Sequence, residues 1–282
     1  MVKMSKTNLL RLLNSVRRKQ YVGGKPFDQI ESCVVFVANG MASTTSLVKD
    51  GKTSLNRFSV EVDDAEDDLF IVVPDIDRLV GVLSAHGENI TLKVNLEKLM
   101  VKSGRKQTSL LASSDALAYA HSDKSVIEWA EISEEKAKSI VKPGDLVTPA
   151  VYKLSDGSER ESFVRFYPTA DGLYEALRCD SLNAQKLNRY TFAVIEENKD
   201  KIRVDVGDFL KGKTTTTLDI QPASIDFEVV FEGGLEFVLQ QWLGFKEPCQ
   251  VHFFDFRPEN QGIRALFVLP DNNSWVFQAG VF

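Results

Sequence analysis

Apolar residues gather into a single stripe at four places in the chain. Leu9, Leu12, Leu13 and Val16 stand at i, i+3, i+4 and i+7, the spacing of one helix face. Ile76, Leu79, Val80 and Leu83 repeat it, as do Leu235, Val238, Leu239 and Trp242. A fourth copy, Leu173, Ala176 and Leu177, breaks at Asp180. Ser5 and Asp75 sit where N-terminal caps belong, and Gly87 and Gly244 where helices stop.

Between these stripes the pattern changes to short β-branched or alternating runs, which predict strands. They fall at 32–38, 57–62, 68–73, 90–95 and 97–102, and again at 190–196, 201–206, 214–220, 225–231, 250–256, 263–269 and 274–279. Turn signals such as Asn39-Gly40, Asp50-Gly51 and Ser103-Gly104 separate them. The order is helix, strands, helix, strands, and then the same again. Leu9 to Ile76 is 67 residues and Leu173 to Leu235 is 62, so the chain reads as a duplicated unit. Short turns between many strands make the sheets mainly antiparallel, an α+β layout with helices on one face. Residues 113–150 lack a clean repeat and hold Pro143 and Pro149. This stretch reads as a connector, with a short strand at 126–129 and a short helix at 133–141. The expected division is 1–115, a connector over 116–150, and 151–282.

Composition narrows the class. With 282 residues, 43% hydrophobic and 26% charged, the chain has the make-up of a soluble globular protein of about two domains. No apolar run approaches the roughly 18 residues of a membrane span, so no membrane partner is expected. The opening MVKMSKTNLL is basic but carries no long apolar region or small-residue cleavage site, so it is not read as a secretory signal. Cys33, Cys179 and Cys249 are few and far apart, which argues against a disulfide framework and fits a reducing compartment such as the cytoplasm.

The charge is unevenly spread. The first 27 residues carry Lys3, Lys6, Arg11, Arg17, Arg18, Lys19 and Lys25 and no acid. Against a net charge of −6, those seven positive charges leave −13 on the other 255 residues. A basic face on an acidic body draws a polyanion to one place and repels it elsewhere, although a solvated helix also accounts for such an excess.

Motifs for chemistry are weak. Residues 207–214, GDFLKGKT, match a phosphate-loop string, but a β-type threonine run follows where that loop needs a helix N-terminus. His86, His121 and His252 are isolated, with no metal-ligand spacing. No catalytic residue, metal or cofactor is expected. The helix faces say more. Opposite the leucines of the first helix stand Thr7, Arg11, Asn14, Ser15 and Arg18, flanked by Lys6 and Arg17. The second helix offers Arg78, Gly81 and Ala85, and the third Arg178, with Lys186 and Arg189 beyond it. The fourth has Phe237 and Gln240 and no base. Bases, amides and small residues on one face suit phosphate contact without base reading.

The duplicated layout, the acidic body and the basic helix faces together resemble the sliding DNA clamps, the processivity factors of DNA polymerases. The bacteriophage clamps and the proliferating-cell nuclear antigens are of this kind. DLFIVVPDIDRLVGVLSAHGENITLKVNLEKLMVKSGRKQTSLLAS looks like the second half of a clamp domain. IDFEVVFEGGLEFVLQQWLGF with QVHFFDF and IRALFVLP looks like its counterpart. The resemblance implies a duplicated clamp fold and, for two repeats, a homotrimeric ring of about 95 kDa (three chains of 31.5 kDa). It implies that Lys6, Arg11, Asn14, Arg17, Arg18, Arg78, Arg178, Lys186 and Arg189 face double-stranded DNA. It implies head-to-tail pairing of 106–112 with 213–220 of the next subunit, placing Thr108, Leu110, Thr214, Thr216 and Leu218 in the interface. DNA polymerase and clamp loader are the implied partners, docking peptides near Val126, Ile127, Trp129 and Phe282. Such a protein works in the cytoplasm of a bacterial host, or in a nucleus if eukaryotic. A β-rich virion protein that never meets DNA, and an NTPase using 207–214, are the rival readings.

Overall fold

The computed structural model describes the chain except residues 18, 23–24, 29–31, 48–53, 67–68, 96–97, 112–115, 147, 179–188, 196–197, 209–211, 222, 224–225, 233–234 and 281–282; for 19–22, 25–28, 95, 111, 116–125, 195, 198, 208, 212 and 232 it describes the backbone only. Two compact units emerge. One comprises Met1–Arg18, Asp28–Leu47 and Arg57–Glu135, the other Lys19–Phe27, Val48–Asn56 and Lys136–Phe282. The described helices are α1 (Lys6–Val16), α2 (Ile76–Ser84), α3 (Ala116–Ala137), α4 (Ala170–Leu177) and α5 (Leu235–Leu239), the last continued by a 3₁₀ turn over Gln240–Trp242.

The repeating element is shorter than half the chain. A strand, a helix and a three-strand meander recur four times, twice in each unit. The first copy is Val2–Ser5, α1, then Cys33–Ala38, Met41–Leu47 and Ser54–Glu61; the second is Leu69–Val73, α2, then Asn89–Asn95, Lys98–Ser103 and Lys106–Leu111. The third is Val164–Phe166, α4, then Arg189–Ile195, Asn198–Asp208 and Gly212–Asp219; the fourth is Glu228–Glu232, α5, then Gln250–Phe256, Gly262–Val268 and Trp275–Ala279. Within each unit the leading strand of one copy pairs, antiparallel, with the first meander strand of the other. Val2–Ser5 joins Asn89–Asn95 and Leu69–Val73 joins Cys33–Ala38. Val164–Phe166 joins Gln250–Phe256 and Glu228–Glu232 joins Arg189–Ile195. Each copy thus completes its neighbour's sheet.

The local chemistry is as the pattern predicts. Ser5 Oγ accepts from the Asn8 N–H and Asp75 Oδ1 from the Arg78 N–H, capping α1 and α2. Leu9, Leu12, Leu13 and Val16 are fully buried, as are Leu79 and Leu83. Asn39 and Gly40 both take positive φ, 52° and 72°, the two-residue hairpin turn between paired Ala38 and Met41. In the second unit the core is aromatic. Phe253 packs against Phe166, Phe192, Phe227 and Phe231 at centroid distances of 5.0–6.2 Å. Its strand is covered on both faces, since Tyr152, on the small sheet of Ile140–Val141, Val151–Lys153 and Glu159–Glu161, packs on Phe256 and Phe277.

The connector differs from the prediction. Instead of a strand at 126–129 and a helix at 133–141, one 22-residue helix, α3, runs from Ala116 to Ala137, and Ile140–Val141 is a strand. Its last turns are held by Glu134, which accepts from Thr45 Oγ1 at 2.7 Å and Arg57 Nη1 at 2.5 Å.

His252 is fully buried in the second unit, its Nδ1 3.1 Å from Ser162 Oγ. Burial, with Arg165 nearby, pushes its pKa down to about 4. The unfolded chain therefore binds a proton below about pH 6.5 that the folded chain refuses until about pH 4. Stability should fall as pH drops through that window, by up to about 3 kcal/mol from this group. Denaturant titrations of the wild type and His252→Gln from pH 7 to 4 should show a shallower fall in the variant; equal slopes would contradict this.

Candidate nucleic-acid interface

In the first unit the strand Val2–Ser5 fixes where α1 begins, and the Lys6 N–H donates to the Glu88 carbonyl at 2.6 Å. With its apolar stripe sunk, α1 turns Thr7 outward and leaves Arg11 and Asn14 half-exposed. α2 packs beside it and buries Ile76, Leu79 and Leu83. Its outward positions are Asp77, Arg78, Gly81 and Ser84, with Ala85 following. A Cβ at Gly81 would meet nothing within 4 Å, so this surface is open. The two helices place Arg11, Asn14 and Arg78 on the side away from the buried stripes.

Three predicted residues carry other duties here. Arg17 spends its charge on α2, with Nη2 2.7 Å from Asp77 Oδ2 and Nε 2.6 Å from Oδ1. Lys6 Nζ donates to the His86 carbonyl just beyond α2, and Lys106 Nζ to that of Ala85. Both lysines therefore stabilise the negative end of α2. Ser15, read as outward, is fully buried and donates to the Arg11 carbonyl, because it lies beside the leucine stripe.

The second unit is different in charge. α4 is capped by Thr169 and buries Leu173, Ala176 and Leu177. It exposes Asp171, Glu175 and Arg178, and Arg178 lies 3.6 Å from Glu175. On α5, Glu236 accepts from the Tyr190 hydroxyl, and Gln240 donates to the Tyr174 hydroxyl. Arg189 is exposed at the start of its strand. Among the described residues this helix pair carries more acid than base, Asp171, Glu175 and Glu236 against Arg178. Arg18, Lys186 and Phe282 lie outside the described residues.

The two segments named for subunit contact are both at sheet edges. Lys106–Leu111 ends the order 106–111, 98–103, 89–95, 2–5, 64–65, and Gly212–Asp219 ends the order 212–219, 198–208, 189–195, 228–232. Leu110 is buried and Thr108 Oγ1 lies 2.9 Å from His86 Nε2. Thr214, Thr216 and Leu218 are half-buried and pair with Val206, Val204 and Ile202. Val126, Ile127 and Trp129 are half-buried on α3.

The described ends of the phosphate-loop string lie on two paired strands, with Gly207 opposite Lys213 and Asp208 opposite Gly212. The Lys213 ammonium is 3.1 Å from the Asp205 carboxylate, and strand rather than helix follows. Residues 209–211 lie outside the described residues; among the described ones the string leads into strand and not into a helix N-terminus. Among the described residues no three side chains gather as a metal site, and no helix is long and apolar enough to cross a membrane.

No protein-family model matches the chain, and no curated protein matches it in sequence. Solved structures do match. One is the A. fulgidus PCNA solved with the C-terminal region of FEN-1: TM-score 0.58, 10% identity, 100% of this chain and 98% of that one. Another is the DNA polymerase sliding clamp of Bacillus subtilis: TM-score 0.60, 12% identity, 100% of this chain and 64% of that one. The chain has the sliding-clamp fold. A third clamp, from Helicobacter pylori and bound to a DNA ligase peptide, matches with TM-score 0.54 and 10% identity over 99% of this chain and 65% of its own. The clamp fold accounts for the helix pairs laid on antiparallel sheets in both units. This chain spans nearly all of the PCNA chain and about two thirds of the bacterial ones.

Proposed function

We propose that this chain is a non-catalytic sliding clamp of the bacteriophage type. Three copies close into a ring round duplex DNA and tether the replicative DNA polymerase, after a clamp loader places the ring there. Each chain then supplies two clamp domains, 1–115 and 151–282, joined by 116–150. The observation that carries the reading is the α1–α2 face, where Arg11, Asn14 and Arg78 stand away from the buried Leu9, Leu12, Leu13 and Val16 of α1 and Ile76, Leu79 and Leu83 of α2, on a clamp fold. A ring that encloses DNA needs no tight grip. A few phosphate contacts keep the duplex centred and still let it slide.

Coverage of nearly all of the PCNA chain but about two thirds of the bacterial β chains supports a two-domain subunit, hence a trimer. The free edges at Lys106–Leu111 and Gly212–Asp219 support head-to-tail closure. Similar clamps solved with a FEN-1 segment and with a DNA ligase peptide support partner recruitment through short peptides, with Val126, Ile127, Trp129 and Phe282 the candidates here. The place of action is wherever the genome is copied, the host cytoplasm for a phage clamp.

The charges predict an asymmetry. Arg11→Glu with Arg78→Glu should cut processive primer extension by the cognate polymerase and loader by more than about tenfold, with an unchanged circular-dichroism melt. Arg178→Glu should do much less, because Glu175 already offsets Arg178. Full processivity in the double variant would favour a virion protein or another role without DNA.

A further inference from the structure

The sheet of the first unit has an outer face that the proposed clamp action does not use. Along Lys98–Ser103, Leu99 and Val101 are buried, so Lys98, Met100 and Lys102 share the opposite face, with both lysines exposed. Lys93 stands directly across from Met100 on the neighbouring strand and is exposed as well. Gln107 Nε2 rests 3.9 Å from the Met100 sulfur. The result is a half-buried methionine that shares its face with three exposed lysines.

Among the described residues no acid pairs with Lys93, Lys98 or Lys102. Lys3, on the same sheet, is by contrast held by Asp64 at 2.6 Å. The matching strands of the second unit treat their bases differently. There Lys201 is paired with Asp219, Arg203 with Asp205 and Glu228, and Lys213 with Asp205. Among the described residues, one copy of the sheet pairs its outward bases with acids and the other leaves three of them without an acid, on a chain whose net charge is −6.

We propose that this face docks an acidic segment of a partner protein, an extended stretch in which two carboxylates flank an apolar residue. Lys98, Met100 and Lys102 repeat every second residue, so cation, thioether and cation span about 14 Å in steps of about 7 Å. An extended peptide has the same step, so acid, apolar residue and acid at alternate positions meet all three together. Methionine adapts its shape to varied apolar side chains. A duplex would use the lysines but leave Met100 without a partner, which is why the peptide is favoured over nucleic acid. The inference stands on the charge and register of this face alone and does not need the ring.

The test is fluorescence anisotropy on the full chain at low salt. The probe is a labelled peptide carrying Glu-Thr-Leu-Thr-Glu between Gly-Ser flanks, and the comparator has Ser in place of Leu. Binding should weaken about tenfold with Lys98→Glu plus Lys102→Glu, weaken several-fold with Met100→Ala or the Ser comparator, and fade with added salt. Lys93→Gln is a milder second variant, and unchanged circular-dichroism melts show that each variant folds. Absence of binding would overturn the proposal. So would binding indifferent to both Met100→Ala and the Ser comparator, since that is bare charge attraction. Tighter binding of a short duplex oligonucleotide through the same lysines would overturn it in favour of nucleic acid.

Discussion

Replacing Phe253 by alanine should destabilise the second unit by about 3–5 kcal/mol. The ring is fully buried and touches four others, on strands Val164–Phe166, Arg189–Ile195 and Glu228–Glu232 and in the segment before the last of these. Two of those strands belong to the third repeat and the rest to the fourth, so Phe253 sits where the two copies exchange leading strands. Aromatic neighbours held by backbone ladders collapse poorly into a cavity, which places the cost at the upper part of the range. Domains are commonly stable by only about 5–15 kcal/mol, so the loss is a large share. Phe70→Ala is the control. Its ring meets Phe36 edge-on at 4.7 Å, but both are half-buried, on the paired strands Leu69–Val73 and Cys33–Ala38, and its cost should be less than half as large. Urea titration followed by tryptophan fluorescence and circular dichroism measures both, and equal costs would contradict this view of the core.

Proline in the threonine run should abolish assembly while leaving a folded subunit. Along an edge strand the N–H groups alternate, one toward the sheet and the next toward the outside. Of Thr215→Pro and Thr216→Pro, therefore, one removes an outward N–H and the other breaks the ladder to Asn198–Asp208. Proline is tolerated at an edge when its missing N–H faced away from the sheet. The expected result is that one variant keeps its unfolding temperature and sediments as a 31.5 kDa monomer, while the other loses stability. If both stay folded and keep the wild-type mass, this edge is not the subunit contact.

Much of the architecture is legible in the residues because its causes are local. The stripes over α1, α2, α4 and α5 bury the residues that their spacing selects, Val80 alone among those named being half-buried, and Ser5 and Asp75 cap as their positions require. What escaped has other causes. Met41–Leu47 is MASTTSL, too polar to read as a strand, and it pairs because its neighbours supply the ladder. Val2–Ser5 and Val164–Phe166 are too short to show a period, yet they join the two copies within each unit. Without them the repeat looks twice as long as it is. In α3, Val126, Ile127, Trp129 and Ile132 do not keep to one stripe, so a continuous helix was hidden. At the candidate interface the residue types were legible but their duties were not. Arg17 meets Asp77 sixty residues away, and Lys6 meets the end of α2 eighty residues away. Only the fold brings such partners together.

A closed ring of like subunits has a fixed mass, so weighing the wild-type protein in solution decides whether it forms. Light scattering after size exclusion, repeated over a range of concentrations, should give about 95 kDa, three chains of 31.5 kDa. A mass of 31.5 kDa at every concentration would contradict the ring.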